Sequence, residues 1–316
     1  MSEKRINKGA AITKLVAWSV VAVILIALLS VLMVFHHGMN FSFSLGVFGA
    51  EYYEDAHKYS MGNASYDSVI DSIDIDWAVG KIIVTVHDGE EISVEESYLG
   101  SNDDDRMRTR IAGDTLMIKY AKSGVRYVND PPKKTLTVRI PESMAQRGID
   151  LNISAAAADT DVSGSENSRL TLGEVEIEAA SGKVNVKNAD VREVNIETAS
   201  GNIELVGCEL GDVDLEAVSG KLTLDGEVRT LDMSVVSGNA KITTYKALPE
   251  RVNVESVSGS VTLSVPDIKS GFEIDAKTVS GSINSNRGTR YGDGKARFDL
   301  ESVSGSITVT VRDSGE

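Results

Sequence analysis

The words ESVSGSVT (residues 255–262) and ESVSGSIT (residues 301–308) differ at one position of eight. Looser versions of the same word bring the number of aligned Ser-Gly pairs to seven: AASGKVNV, TASGNIEL, AVSGKLTL, VVSGNAKI, SVSGSVTL, TVSGSINS and SVSGSITV. Their glycines are spaced by 19, 19, 18, 21, 22 and 24 residues, at Gly182, Gly201, Gly220, Gly238, Gly259, Gly281 and Gly305. A period near 20 residues is typical of a solenoid or another repeat array.

Each word lies between two runs of alternating apolar residues. Val194 and Ile196 precede the corner of TASGNIEL, for example, and Ile203 and Leu205 follow it. Because period-two alternation indicates half-buried strands, each unit is predicted to be a strand, a Ser-Gly corner, a second strand and an outer loop of variable length. Glycine at the corner allows backbone angles that are closed to other residues.

Two kinds of architecture accept such units. Units that pair as hairpins would build a sandwich or a propeller, but propeller blades need about 40 residues. Hairpins would also show Asn-Gly or Asp-Gly between their strands. Near-identical words favour in-register stacking instead, so the predicted fold class is all-β, a parallel β-helix or β-solenoid.

The repeat continues in degenerate form towards the N-terminus. WAVGKIIV (residues 77–84) has the same shape, and AAAADTDV (residues 155–162) reads as a coil with alanines at the corner. The region from residue 69 to the first regular coil is therefore predicted to be an irregular first part of the same solenoid. At the other end the last rung, residues 306–311, is expected to be bare, which predicts an end-to-end contact there with itself or with a partner.

A membrane span precedes the repeat. Residues 15–35 are 21 uncharged residues, and a helix of that length spans the roughly 30 Å of a bilayer's hydrocarbon core. The basic residues of the tail, Lys4, Arg5, Lys8 and Lys14, place the N-terminus in the cytoplasm by the positive-inside rule. A cleaved signal peptide is the rival interpretation, but bulky Phe48 occupies the nearest candidate cleavage site.

The predicted organisation therefore has four parts: a cytoplasmic tail (1–14), a transmembrane helix (15–35), a juxtamembrane segment (36–68) and an extracytoplasmic solenoid (69–316). The aromatic residues of the juxtamembrane segment lie either in the membrane interface or over the first rung of the solenoid. These are Phe41, Phe43, Phe48, Tyr52 and Tyr53.

The charge of the chain limits its partners. The formal net charge is −15, and beyond the basic tail 28 basic and 46 acidic residues give −18. Such acidity argues against nucleic acid as a partner, because binding it needs lysine and arginine to displace counterions. The single cysteine, Cys208, excludes an intramolecular disulfide, and no cofactor-binding motif is present.

One candidate site emerges, a column of acidic residues four positions before each corner glycine. Its acidic members are Glu178, Glu197, Glu216, Glu255 and Glu301. Stacked about 4.8 Å apart, each neighbouring pair would repel by roughly 1 kcal/mol, which a bound divalent cation would offset. Because Ser234 and Lys277 interrupt the column, a solvated outward row that pairs with Lys183 and Lys221 is favoured over a metal site. No catalytic, cofactor or metal residue is predicted.

The quoted motifs together resemble the bacterial DUF4097 family, β-strand-repeat proteins that also carry the label "putative adhesin". The resemblance rests on the N-terminal span, IDIDWAVGKIIVTVHDGEEISVEE (residues 73–96), TLTVRIPE (residues 135–142) and the Ser-Gly words, and it covers residues 69–311. The alanines at residues 157 and 158 depart from the pattern. The resemblance implies a fold like β-helical adhesin heads and no active site that can be transferred.

These observations predict a non-catalytic, membrane-anchored protein that contacts the cell wall, a surface polymer or another membrane protein. Two alternatives stay open. One is envelope-stress sensing through a membrane partner, and the other is a carbohydrate-active β-helix enzyme.

Overall fold

The computed structural model describes residues 52–127, 130–165 and 167–312. Its first ten strands are β1 (Ser60–Met61), β2 (Ala64–Tyr66), β3 (Ser72–His87), β4 (Ile92–Ser97), β5 (Arg108–Ala112), β6 (Thr115–Lys119), β7 (Lys134–Pro141), β8 (Ile149–Ser163), β9 (Leu170–Ser181) and β10 (Val184–Lys187). Eleven more follow: β11 (Ala189–Ser200), β12 (Ile203–Ser219), β13 (Leu222–Ser237), β14 (Ala240–Thr243), β15 (Arg251–Ser258), β16 (Val261–Pro266), β17 (Phe272–Ser280), β18 (Ile283–Ser285), β19 (Arg290–Tyr291), β20 (Ala296–Ser304) and β21 (Ile307–Arg312). The helical segments are the helix α1 (Glu142–Ala145) and two 3-10 turns, Ala56–Lys58 and Asp103–Asp105.

Parallel coils stack in register, which confirms the predicted β-solenoid. The levels run in the order β3, β8, β9–β10, β11 with the start of β12, the rest of β12 with the start of β13, the rest of β13 with β14, β15–β16, β20–β21 and β17–β18. The predicted outer loop is missing in the middle of the stack. There β12 and β13 run directly from one coil into the next, because a spacing of 18 or 19 residues between corner glycines leaves no residues for a loop.

Alternate side chains of each strand fill the interior. Ile196, Leu215 and Met233 lie on successive coils, one above the other, and are at most 1% exposed. Columns of Val, Leu and Ile repeat this arrangement from Ile73 on β3 to Val309 on β21, so that one continuous core runs along the stack. Hydrophobic burial along this axis holds the coils together.

The corner glycines form a column in which the backbones of successive coils approach closely. A Cβ added to Gly201, Gly220, Gly238 or Gly259 would lie less than 3.0 Å from the carbonyl oxygen of the preceding corner glycine. The inter-coil hydrogen bonds continue through the corner, since the Gly220 N–H donates to the Ser237 carbonyl at 3.0 Å. Any side chain would separate the coils, and this excludes every other residue type at these corners.

A cap closes the N-terminal end, in which β6 and β7 run parallel to β3 and antiparallel strands flank them. The first half of β3 pairs with β6 and the second half with β7; β5 and β1 extend the sheet beyond β6, and β4 and β2 extend it beyond β7. β6 and β7 stack parallel and in register on β3, as expected for an irregular first part of the solenoid, whereas β1, β2, β4 and β5 do not join the stack. The tight turn at Gly113 reverses the chain between β5 and β6, so β5 runs antiparallel to β6 and extends the sheet sideways instead of adding a coil. The two degenerate words do occupy coils, and Gly80 pairs with Ala158.

A buried ion pair lies at the centre of this cap. The Lys134 ammonium donates to a Glu96 carboxylate oxygen at 3.0 Å and to the Asp105 carbonyl at 2.6 Å, and both charged side chains are at most 1% exposed. It also lies over the rings of Tyr120 and Trp77, 3.9 and 4.9 Å from their centroids. Burial lowers the pKa of Lys134 to about 8, against the opposing effect of Glu96. These contacts connect β7 with β4, with the segment that precedes β5 and with the residue that follows β6.

The last two coils exchange places relative to their order in the sequence. β20 lies between β15 and β17, and β21 lies between β16 and β18. The two most similar words, 46 residues apart, are therefore direct neighbours, with Glu255 beside Glu301. The prediction of a bare last rung at residues 306–311 is wrong: β18 covers its start, and the Asn286 side chain exchanges two 2.9 Å hydrogen bonds with the Val311 backbone. The outermost coil is β17–β18.

The predicted cytoplasmic tail and transmembrane helix lie outside the described residues. Among the residues that are described, no helix combines the length and the apolar character needed to cross a bilayer. Part of the predicted juxtamembrane segment belongs to the cap, since it contains β1 and β2. There the Tyr53 hydroxyl donates to the Ala121 carbonyl at 3.1 Å, whereas Tyr52 is 68% exposed.

Replacement of a corner glycine tests the close approach of the backbones. We expect Gly238→Ala to lower the free energy of unfolding by about 4 kcal/mol or more, because its Cβ would overlap the Gly220 carbonyl. Gly288→Ala is the matched control: Gly288 also has a positive φ but open space around its Cα, so about 1–2 kcal/mol of backbone strain is expected. Urea unfolding followed by circular dichroism measures both, and equal losses would contradict the explanation.

Removal of the buried ammonium tests the cap. Lys134→Met leaves the Glu96 carboxylate buried without its partner, so we expect a loss of about 3–5 kcal/mol in the free energy of unfolding. Lys122→Met removes an exposed pair with Asp104 and should cost about 0.5 kcal/mol or less. If both variants unfold at the same urea concentration, the ion pair does not stabilise the cap.

Candidate functional site

The in-register stacking places outward side chains in straight columns on one face of the solenoid. We call the column four positions before the corner glycines the acidic column. In stack order it contains Glu178, Glu197, Glu216, Ser234, Glu255, Glu301 and Lys277. Two positions earlier runs a second polar column: Glu176, Asn195, Asp214, Asp232, Asn253, Asp299 and Asp275. Because successive coils are about 4.8 Å apart, like groups meet along each column.

Four glutamates of the acidic column, Glu178, Glu197, Glu216 and Glu255, have pKa values above the ordinary value for glutamate. Partial burial raises the pKa of Glu197, and the charges of Glu178 and Asp214 raise it further. Burial likewise raises the pKa of Glu216, with the Glu197 charge adding to it. Burial and a neighbouring acid also raise the pKa values of Glu178, Glu255 and Asp214. The column is therefore a row of mutually repelling, half-buried acids.

Lysine neutralises this column at its outer end. The Lys277 ammonium lies 3.0 Å from carboxylate oxygens of both Glu301 and Asp275. The pairing of the acidic column with Lys183, expected from the sequence, is not observed: Lys183 pairs with Glu204, beyond the corner, at 2.9 Å. The physical reason is the corner itself, which turns the residue after the glycine towards the next face.

A shallow depression of about 660 Å³ lies beside the acidic column on the same face. Its lining residues are Glu193, Val194, Asn195, Asp212, Val213, Asp214, Arg229, Thr230, Asp232, Glu250 and Arg251. Several of these groups already bind each other: Asp212 accepts from Arg229 and from the Thr230 hydroxyl, and Arg251 lies 3.0 Å from Asp232. None of the five glutamates of the acidic column lines the depression, whereas Asp214 of the second polar column, whose pKa is also raised, does.

The other side chains that could bind a metal ion or act as a nucleophile lie apart from one another. Within residues 52–127, 130–165 and 167–312, no three His, Cys, Asp or Glu side chains are grouped as ligands of one metal ion. Cys208 is buried, with its Sγ 3.5 Å from the carbonyl oxygens of Val186 and Val206, and burial raises the pKa of its thiol. A buried thiol with a raised pKa is a poor nucleophile.

An aliphatic column borders the acidic column and was missed in the sequence. Its members stand two positions before the corner glycines: Ala180, Ala199, Val218, Val236, Val257, Val303 and Val279. All but Val279 are half-buried, and Val279, on the outermost coil, is 51% exposed. The alternation of the strand, which continues up to Ser-Gly, was the signal that could have identified these valines as outward-facing. The face thus combines a row of carboxylates with a row of apolar side chains.

Comparison with known proteins identifies the family. The chain is a β-solenoid with an N-terminal cap, and residues 70–315 match the family model described as "Toastrack DUF4097". It therefore belongs to the DUF4097 family. No curated protein matches it.

Three solved structures are similar to this chain. "Putative lipid binding protein" from Parabacteroides distasonis is 18% identical (TM-score 0.47), covering 81% of this chain and 97% of its own. "A putative adhesin" from Bacteroides fragilis is 14% identical (TM-score 0.41), covering 80% and 97%. "A putative cell adhesion protein" from Clostridium sporogenes is 16% identical (TM-score 0.26), covering 80% and 100%.

The raised pKa values predict a pH dependence of stability. A carboxyl group whose pKa is higher in the folded state stabilises the protein below its ordinary pKa, near 4.5, and this contribution is lost as the pH rises through the raised value. We therefore expect Glu197→Gln/Glu216→Gln to unfold less readily than the wild type at pH 7, by about 1–2 kcal/mol, and the gain to shrink towards pH 4.

Chemical unfolding across this pH range checks the prediction. Glu90→Gln/Glu91→Gln, on an exposed turn of the cap, removes the same charge without touching the column. If the control variant gains as much stability at pH 7, net charge and not stacking would be the cause.

Proposed function

We propose that the protein is a non-catalytic contact protein, anchored in the membrane through residues 15–35 and displayed outside it. The solenoid binds a cell-wall or surface polymer, or another membrane protein, through the face that carries the acidic and aliphatic columns. The unbroken register of these columns is the observation that carries the proposal. A straight row of similar groups suits a partner that is itself extended or repetitive.

The dimensions of the stack support a role in contact. Nine levels at about 4.8 Å per step give a rod about 40 Å long, with hydrogen bonds joining every level to the next. Such a rod holds its surface groups at fixed positions, so little conformational entropy is lost when a partner binds. The half-buried valines offer apolar area, and the neighbouring carboxylates select for a partner with amine or hydroxyl donors.

The character of the acidic column supports a non-catalytic role. A glycoside hydrolase holds its two carboxyl groups on opposite sides of the bond that it cleaves. Here Glu197 and Glu216 are neighbours in one column on an open face, without a cleft that would enclose a sugar between them. Hydrolysis of an acidic glycan that is abolished by Glu197→Gln or Glu216→Gln would overturn this part of the proposal.

The sequence supports the anchor and its orientation. The uncharged segment is long enough to span a bilayer, and the basic tail before it favours the cytoplasmic side. Envelope sensing through a membrane partner is the alternative role.

Photo-crosslinking in cells tests the proposed face. A photoreactive residue in place of Val236, in the aliphatic column, is expected to capture a wall polymer or a membrane protein. The matched control is a photoreactive residue at Lys241, beyond the corner of the same coil. Capture from Val236 alone supports the proposal, whereas equal capture from both sites or none from Val236 contradicts it.

The identity of the captured partner separates the two non-catalytic roles. Wall polymer would indicate adhesin-like contact. A defined membrane protein whose capture depends on residues 1–14 would indicate regulation instead.

A further inference from the structure

The outermost coil, β17–β18, leaves an open sheet edge at the C-terminal end of the solenoid. β19 pairs with Phe272 and Glu273 only, and the Thr289 carbonyl accepts from the Ile274 N–H at 2.7 Å. Among the described residues, no strand pairs with the outer edge of the coil from Asp275 onwards. An uncovered edge of this kind presents backbone donors and acceptors to a further strand.

Apolar side chains are exposed at the same place. Ile283 occupies the position that is fully buried at Ile203, Leu222 and Ile307, yet it is 45% exposed because no coil lies above it. Val279 is 51% exposed beside it. The other exposed large apolar side chains of the described chain lie in the cap or singly on the flanks. The combination of an open edge and exposed aliphatic groups marks an interaction surface.

The charge of this end differs from that of the flanks. Residues 272–295 contain three acidic and four basic residues, a charge of +1, whereas the rest of the chain carries −16. Two copies brought together side by side would therefore meet with their acidic columns and repel. Two copies brought together end to end would meet with nearly neutral surfaces. Charge thus favours a second copy at this end over a second copy at the flank.

The two ends of the rod differ in their distance from the membrane. The described chain enters at the cap, where the Tyr53 N–H donates to Ser123 Oγ at 3.2 Å, and the cap closes that end of the core. With the anchor preceding the cap, the coil β17–β18 is the end farthest from the membrane. This step rests on the proposed membrane anchor.

We propose that β17–β18 is the tip of the rod and binds the tip of a second copy carried by an opposing membrane. A twofold contact pairs the same surface of both copies, so each open edge supplies the partner of the other. The contact also covers Val279 and Ile283 on both copies. Adhesion is then homophilic: two rods joined at their tips connect two surfaces, while their acidic flanks keep copies on one surface apart.

Vesicle tethering tests the proposal with the full chain. The protein is reconstituted into phosphatidylcholine vesicles of two colours, and joined vesicles are counted by two-colour fluorescence. We expect joining when both populations carry the protein. Val279→Glu or Ile283→Glu is expected to reduce it about tenfold or more, because each places an unpaired carboxylate in the contact. Val206→Glu is the matched control: it adds the same charge at an exposed valine (37% exposed) on β12, away from β17–β18 and outside both columns, and should leave tethering unchanged.

Two results would overturn the tip contact. One is joining when only one population carries the protein, which would mean that the rod binds lipid. The other is joining that Val279→Glu and Ile283→Glu leave unchanged, or no joining at all, with thermal unfolding confirming that each variant is folded. Capture of an envelope partner from Val236 in cells is a separate readout, so the proposed function can stand when the tip contact fails.

Discussion

The close contact between backbones at the Ser-Gly corners is the constraint on which the rest of the structure depends. From Gly201 onwards each corner glycine lies against the carbonyl of the neighbouring corner glycine in the stack, and Gly182 lies against that of Ala158; the hydrogen bonds between coils pass through the corner without interruption. A side chain there would separate the levels and break the ladder on both sides. Because the corners are fixed in this way, every residue at a given distance from the glycine is placed above its equivalent, and the solenoid has columns instead of scattered groups.

The columns stabilise the fold in the core of the solenoid and destabilise it on the outer surface. Inside, stacking places valine, leucine and isoleucine in contact along the whole axis, and their burial stabilises the fold. Outside, burial raises the pKa values of Glu197 and Glu216, and the register adds to this by placing glutamates beside glutamates, whose repulsion opposes the stack. The hydrophobic core tolerates this repulsion. A surface that works against stability, and is repeated over several levels, is the kind of feature that functional sites retain.

The two ends of the rod are finished differently. At the N-terminal end, β6 and β7, which run parallel to β3, and the buried pair of Lys134 with Glu96 close the core. At the other end, a single coil with smaller and more polar inward residues covers the stack, and its own outer edge is only begun by β19. The solenoid therefore has a closed N-terminal end and an open edge at its C-terminal end.

The sequence alone determined the local unit: the period, the strands on either side of the corner and the glycines follow from residues that are near each other in the chain. It also indicated the acidic column, since equal distances from a repeated glycine imply stacking. The tertiary structure decided the order of the last two coils. The repeat words at Gly281 and Gly305 are both compatible with either level of the stack, and only packing in the folded protein determines which word takes which level. At equivalent inward positions β20–β21 has Leu300 and Val309 where β17–β18 has Ala276 and Ser285, so the coil with the larger apolar residues lies inside the stack. The tertiary structure likewise decided the cap, because the partners Lys134 and Glu96 are 38 residues apart and carry no repeat that would connect them.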